Sequence, residues 1–354
     1  MVFIVRVEWS SRMTKCKGKK IGDSIVRLSS VLIKTEDDAR DIIKTLLKLE
    51  SFDGNFEPRR PIPKRIINHN GIEWILGYTI RSGGFGIIKT CVSDAIKCIV
   101  KFSKAAKLDP SIENELTFYK SLPPNDFFPK YFGSGVTMVN GTNRNYIILD
   151  RYRTDLSDFM SRESLLVDEI DLIATSILKA IKFCHAVGYS HGDIKIDNVL
   201  LDFKVSRRER VVTRVALADF GFAMKYRDCN GNHIDYKERP GKGYGTRCCM
   251  SIDAHNGVVC SRRSDIESMA YLILTMFEIE LPWATRSPIL DREQVKMEKL
   301  LLSRRRRPFG RVDPKCKDYL STIKYSTIST EEYVNSYRDE PKYERLLDIF
   351  NNLN

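Results

Sequence analysis

His191-Gly192-Asp193-Ile194-Lys195-Ile196-Asp197-Asn198, followed downstream by Asp219-Phe220-Gly221, is the stretch on which the reading turns. The spacing D-x-x-x-x-N sets the Asp193 carboxylate ahead of the Asn198 amide, and Asp219 adds a second carboxylate. Asp193 can accept the proton of an attacking hydroxyl, while Asn198 and Asp219 offer hard oxygen ligands to magnesium ions that bridge nucleotide phosphates. Lys195, two places after Asp193, is placed to neutralise charge on a moving phosphate. Either motif alone is weak, because such short patterns occur by chance in charged chains. In this order, with a β-hairpin between them, they are strong.

The hairpin reading comes from Val199-Leu200-Leu201 and Val215-Ala216-Leu217, apolar runs on either side of Ser206-Arg207-Arg208-Glu209-Arg210. One hairpin brings the ligands at its two ends to a common point. The bland reading makes Asp193, Asn198 and Asp219 loop and cap residues, which these types often are; the upstream sequence weighs against it. Ile80-Arg81-Ser82-Gly83-Gly84-Phe85-Gly86 is a glycine-rich turn, and Cys98-Ile99-Val100-Lys101-Phe102 reads as a following strand. Glycines let backbone approach phosphates with no Cβ in the way, so Ser82, Gly83, Gly84, Phe85 and Gly86 form a candidate nucleotide cradle. Lys101 matches the lysine of a V-A-I-K strand, which holds α and β phosphates. Its partner should be a helical Glu: Glu115 is the first candidate and Glu113 the second.

Further strings carry a resemblance. Gly245-Thr246, Ser251-Ile252-Asp253-Ala254-His255-Asn256-Gly257, Ser261-Arg262-Arg263-Ser264-Asp265-Ile266-Glu267 and Leu281-Pro282-Trp283 resemble the vaccinia-related kinases of the casein kinase group. So does the His-Gly-Asp loop, where that family has glycine in place of the usual arginine. The resemblance runs from about Trp74 to near Phe350. It implies an α+β, two-lobed protein kinase fold with a small, mostly β lobe (about 71–150) and a larger, mostly α lobe (about 151–354). It implies a Ser/Thr kinase using ATP and Mg2+, with Asp193 as base, Lys195 on the γ-phosphate, Asn198 and Asp219 on metal, and Lys101 paired to Glu115. Leu149 would be the gatekeeper, Asp150-Arg151-Tyr152 the hinge, Asp265 the aspartate that ties a large-lobe helix to the catalytic loop, and His191 a structural brace. The family tends to phosphorylate chromatin-associated proteins, which are implied as substrates by the same resemblance.

The chain departs from the family pattern in places. Arg81 stands at the first glycine of G-x-G-x-x-G, where it should point to solvent or crowd the nucleotide. Phe220 replaces a tyrosine common in the family, and the A-P-E triplet of kinases at large is replaced by the Ser251–Gly257 string, as the family has it, so the open question rests on Arg81. A catalytically impaired scaffold therefore stays open as an alternative, as does a small-molecule phosphotransferase with an H-G-D loop. Against the scaffold, Lys101, Asp193, Asn198 and Asp219 are all present; against the phosphotransferase stands the Ser251–Gly257 string.

A chain of 354 residues is long enough for two lobes. With 58 Lys+Arg against 46 Asp+Glu, the net charge of +12 favours acidic partners without establishing nucleic-acid binding. Arg304-Arg305-Arg306-Arg307 reads as an import signal, a phosphate-binding patch or a solvated loop. Nine cysteines without a C-x-x-C pair argue for a reduced interior with no zinc site. Cys248-Cys249 are too close in sequence for an ordinary disulfide, and idle thiols are the favoured reading. The N-terminus is too short for a signal core and no run suits a membrane span, so a soluble intracellular protein, nuclear or cytoplasmic and a monomer by preference, is expected. Residues 1–50 form an extension with a helix, capped near Thr35, that docks on the small lobe or on a partner. Residues 51–70 read as a basic, Pro-containing linker, with Trp74 opening the small-lobe sheet. Ile170, Ile173, Ala174, Ile177, Leu178 and Ile181 predict a buried helix before the catalytic loop, and 272–279 a second central helix.

Overall fold

The computed structural model describes residues 65–351 apart from 68–69, 84–85, 105–109, 140, 207–209, 239–244, 285–289, 304–308, 310 and 324–335. The expected N-terminal helix, most of the linker and the Arg304 run lie outside the described residues.

Strands β1 (Arg65–Ile67), β2 (Glu73–Gly83), β3 (Gly86–Ser93), β4 (Ile96–Phe102), β5 (Tyr131–Val139) and β6 (Thr142–Asp150) form one antiparallel sheet, in the order β1-β2-β3-β4-β6-β5. Helix α1 (Pro110–Ser121) is inserted between β4 and β5. The sheet starts earlier than Trp74, because Arg65, Ile66 and Ile67 pair with Ile75, Trp74 and Glu73; the end of the expected linker is an edge strand, with Ile66 buried beside Trp74. Alternation decides which side chains face the cleft. Cys98, Val100, Phe102, Tyr146 and Ile148 pack with Trp74 in the small-lobe core. Their neighbours Ile99, Ile147 and Leu149 turn the other way, onto the main core. Lys101, between Val100 and Phe102, must share that second face, and a one-residue slip would drive its ammonium into the Trp74 cluster.

The larger lobe holds β7 (Thr154–Asp155), α2 (Leu156–Met160), α3 (Val167–Ala186), β8 (Tyr189–Ser190), β9 (Val199–Val205), β10 (Arg210–Leu217), β11 (Met224–Lys225), α4 (Ile252–His255), α5 (Arg262–Met276), α6 (Arg292–Ser303), α7 (Pro314–Thr322) and α8 (Tyr343–Asn351). In α3 the expected stripe from Ile170 to Ile181 is buried. The predicted hairpin forms, with Val199 opposite Leu217 and Leu201 opposite Val215. The second central helix begins at Arg262, well before Leu272. It is buried on nearly every side, from Ser264 to Met276, so its early half, rich in Ser, Asp and Glu, shows no apolar stripe to read. Among the described residues no helix is long and apolar enough to cross a membrane.

Candidate active site

β8 delivers the chain into the catalytic loop, and Asp265 of α5 fixes its backbone. Asp265 Oδ2 accepts the His191 N–H at 2.7 Å, and Oδ1 accepts the Gly192 N–H at 2.9 Å. Gly192 has φ +79°, and a Cβ there would lie 2.8 Å from the Phe222 carbonyl oxygen. His191 Nε2 meets the Ala218 carbonyl at 3.1 Å, while Nδ1 accepts the Asp193 N–H at 3.2 Å. That pattern fixes a neutral, Nε2-protonated ring. Burial lowers the pKa of this imidazole, against the pull of Asp265 and Asp193. His191 is therefore a brace, as expected.

The loop closes around Asp193. Its Oδ1 accepts the Thr246 N–H at 2.6 Å and its Oδ2 accepts from Lys195 Nζ at 2.7 Å. Lys195 also reaches Thr246 Oγ1 at 2.6 Å. Asn198 Nδ2 donates to the Asp193 carbonyl at 2.8 Å, which leaves Asn198 Oδ1 as the end able to ligate. Thr246 was not among the residues singled out from sequence as reactive. Its Gly-Thr string was visible, but nothing local to it says that it touches Asp193, which lies far back along the chain.

Lys101 Nζ bridges the two halves of the site, 2.7 Å from Glu115 Oε2 and 2.8 Å from Asp219 Oδ1. Glu115, not Glu113, is the partner. Burial disfavours the ammonium, but Glu115 and Asp219 outweigh it and hold Lys101 above its ordinary pKa. Burial likewise resists ionisation of Asp219, yet the Lys101 charge and hydrogen bond bring it below the usual carboxylate range. Asp219 has φ +66°, a strained setting for a residue other than glycine. The next residue holds it there: Phe220 is fully buried, stacked on Phe118 of α1 at 3.8 Å and edge-on to Phe128 and His191. The same packing seats α1 and so aims Glu115 at Lys101. Asp219 Oδ2 and Asn198 Oδ1 fit a hard cation. Among the described residues no group of three or more His, Cys, Asp or Glu could hold a metal alone. A magnesium ion here would complete its shell with phosphate and water oxygens, as it commonly does.

The roof of the cleft is the β2–β3 hairpin, where Ser82 pairs with Ile87 and Gly83 with Gly86; Gly84 and Phe85 lie outside the described residues. Gly86 is required: φ is +104°, and a Cβ would meet the Phe102 carbonyl oxygen at 2.1 Å. Arg81 keeps a half-exposed side chain, as the outward orientation requires, but is not left to solvent alone. Its Nη2 lies 2.6 Å from Asp155 Oδ2, an ion pair across the two lobes. Asp155 also caps α2, accepting the Asp158 N–H at 2.8 Å. At the back, Leu149 is buried at the end of β6. The side chains of Asp150 and Tyr152 turn to Arg214 of the hairpin, which pairs with Asp150, binds Asp202 at 3.0 Å and lies 4.2 Å over the Tyr152 ring.

Gly245, Arg247 and Met250 border a cleft of about 600 Å³, also lined by Asp291, Arg292 and Glu293. Ser251 caps α4, and Asp253 forms a two-point ion pair with Arg263 of α5, both contacts at 2.8 Å. This buried pair joins two of the quoted family strings and anchors the segment where A-P-E is missing. Of the basic clusters, Arg210 is engaged by Glu163 and Glu169, so it supports the hairpin and offers no free charge.

Comparisons with known proteins agree with this geometry. The family described as "Protein kinase domain" matches residues 75–327. The "Probable serine/threonine-protein kinase FPV212" of Fowlpox virus (strain NVSL) is 30% identical over 299 residues, covering 78% of this chain and 92% of its own. Human "Serine/threonine-protein kinase VRK2" is 32% identical over 257 residues, covering 65% of this chain and 48% of that longer protein. A solved structure of vaccinia related kinase 3 superposes with a TM-score of 0.67 at 22% identity, covering 82% of this chain and 91% of that one, and speaks for the fold alone. A strand lysine clamped by Glu115 and Asp219, a braced Asp193 loop and these relatives converge: the chain belongs to the protein kinase domain family, on its vaccinia-related branch of serine/threonine kinases.

Proposed function

We propose that the enzyme transfers the γ-phosphoryl group of ATP to serine or threonine hydroxyls of protein substrates, within a kinase domain running from about residue 71 to 354 and hinged near 150. The observation that carries this is the Lys101 ammonium bridging Glu115 and Asp219 at 2.7 and 2.8 Å, above an Asp193 carboxylate already oriented by Thr246 and Lys195. Asp193 accepts the proton of the substrate hydroxyl and aligns it for attack. Lys195 offsets charge gathering on the transferred group, and Lys101 holds the α and β phosphates. Asn198 and Asp219 would hold Mg2+, which when bound neutralises phosphate charge. Ser82, Gly83, Gly84, Phe85 and Gly86 cover the phosphates. The adenine ring of ATP would lie against Leu149 and the 150–152 backbone, since the Asp150 and Tyr152 side chains are engaged by Arg214. A scaffold without catalysis is disfavoured because no charged group of the site is missing or misdirected.

The test is to incubate the purified protein with labelled ATP, magnesium, casein and histones, and to identify the phosphorylated amino acids. Phosphoserine or phosphothreonine is expected. Transfer to no protein, itself included, would overturn the proposal.

A further inference from the structure

Cys248 and Cys249 lie between Thr246 and α4, and phosphoryl transfer as described makes no use of them. Their sulfurs are 3.4 Å apart, and both residues are half-buried. Beneath them sits Lys299 of α6, a lysine with no exposed surface. Its ammonium donates to the Arg247 carbonyl at 3.4 Å and the Met250 carbonyl at 2.6 Å, the residues on either side of the pair, and lies 4.5 Å from the Tyr271 ring centroid. Burial lowers the pKa of this lysine to about 8, which still leaves it mostly charged at neutral pH, and its charge acts on both thiols. The Cys249 hydrogen bond, with help from the Lys299 charge, brings the Cys248 thiol down to about 7, while Cys249 stays high. One sulfur is a nucleophile near neutral pH and its neighbour keeps its proton. Among the described residues, the other buried thiols, Cys91, Cys98, Cys184, Cys260 and Cys316, are held up by burial.

We propose that Cys248 and Cys249 are a redox switch, in which hydrogen peroxide converts the pair into a reversible vicinal disulfide that shuts off phosphoryl transfer. The Cys248 thiolate attacks one peroxide oxygen, the O–O bond breaks, and a sulfenic acid and hydroxide form. Cys249 sulfur then attacks Cys248 sulfur, the S–O bond breaks, and the second hydroxide leaves. One hydroxide takes the Cys249 proton and the other the proton Cys248 had released to solvent. Two thiols lose two electrons in all, and peroxide is reduced to two waters.

The geometry explains why such a bond would act and why it would be labile. Consecutive Cα atoms are ~3.8 Å apart, below the ~4.4–6.8 Å of an unstrained disulfide, so closing the ring must twist the peptide between the cysteines. That peptide carries the Cys249 N–H, which donates to the Thr246 carbonyl at 2.9 Å, beside Met250 N–H at 2.8 Å. Thr246 in turn orients both Asp193 and Lys195. Turning the Cys249 amide away releases the turn that holds Thr246, and the base loses its alignment. Strain in the closed bond makes it easy for a thiol to reduce.

The loss of activity rests on the proposed kinase function; the disulfide does not. The reduced full chain is treated with hydrogen peroxide, alkylated, digested without reductant and weighed, and phosphoryl transfer is measured in parallel. The peptide beginning at Cys248 should lose two hydrogens and escape alkylation at both positions. Transfer should fall about tenfold or more, as loss of a charge-assisted contact implies, and dithiothreitol should restore both. Cys248→Ser and Cys249→Ser should keep their activity in peroxide, whereas Cys229→Ser, at an exposed position, should respond as the parent does. Alkylation of both cysteines after peroxide, full activity in the disulfide form, or equal inhibition of the two serine variants would each overturn the proposal. Should the reduced protein transfer no phosphate at all, the functional reading fails, and the mass measurement still decides the disulfide.

Discussion

Removing Arg81 tests how the two lobes are held together. The guanidinium meets Asp155 through one nitrogen at 2.6 Å, with its side chain 47% exposed and that of Asp155 11% exposed. A pair this open to solvent is worth about 1 kcal/mol or less once side-chain entropy is counted. Asp155 carries a second duty, since its carboxylate also accepts the Asp158 N–H and caps α2, a contact worth about 1 kcal/mol. Arg81→Ala should therefore destabilise the protein by about 0.5–1 kcal/mol, and Asp155→Ala by about 1.5–2 kcal/mol. The double variant should be no worse than Asp155→Ala, giving a coupling of about 0.5–1 kcal/mol that shrinks as salt is raised. Urea unfolding of the four proteins at low and high salt measures it. Nucleotide affinity, titrated on the same proteins, should change by less than about threefold in Arg81→Ala, because the side chain points at Asp155 and not at a phosphate. Zero coupling would refute the interlobe pairing, and a loss of nucleotide affinity worth about 1 kcal/mol or more would make Arg81 a phosphate ligand.

Further outcomes follow from the same structure. Gly192 offers no arginine to receive a phosphorylated loop residue, so phosphatase-treated protein should keep most of its activity; a large loss reversed by rephosphorylation would contradict this. Gly192→Ala, assayed by thermal melting, should destabilise by about 1–2 kcal/mol or more, since φ is +79° and the new Cβ would sit 2.8 Å from a carbonyl oxygen. His255 is buried, and burial together with Lys299, Arg292 and Lys296 lowers its pKa to about 3. The unfolded chain then binds a proton below about 6.5 that the folded chain refuses, so this residue's contribution is full above that pH and is lost as pH falls, at about 1.4 kcal/mol per unit. Between pH 7.5 and 5.5 the urea midpoint of His255→Gln should fall less than that of the parent.

The chemical core of the site was legible because its spacing is fixed by reaction geometry: Asp193, Asn198, Asp219 and Lys101 come together as their motifs require. Glu115 could have been separated from Glu113 by helix phase, since Ile112, Glu115, Phe118 and Tyr119 share the buried face of α1. Arg81 could not be read. Its partner lies 74 residues away, and which of several acceptors a long side chain meets is decided by the packing of two lobes. Lys299 was hidden for a related reason, because a lysine on an amphipathic helix is ordinarily solvated, and only the fold shows the carbonyls and rings around it. The early half of α5 was marked only by the resemblance, through Asp265, because a helix buried all round by Ser, Asp and Glu as well as apolar residues carries no stripe.

Single-turnover transfer by Asp193→Asn, with nucleotide affinity measured alongside, tests the central claim most directly. The amide keeps the shape of the carboxylate but cannot take the hydroxyl's proton, so the rate should fall by about 10²–10⁴-fold while nucleotide affinity stays within about threefold of the parent. Turnover near that of the parent would contradict the assignment of Asp193 as the base.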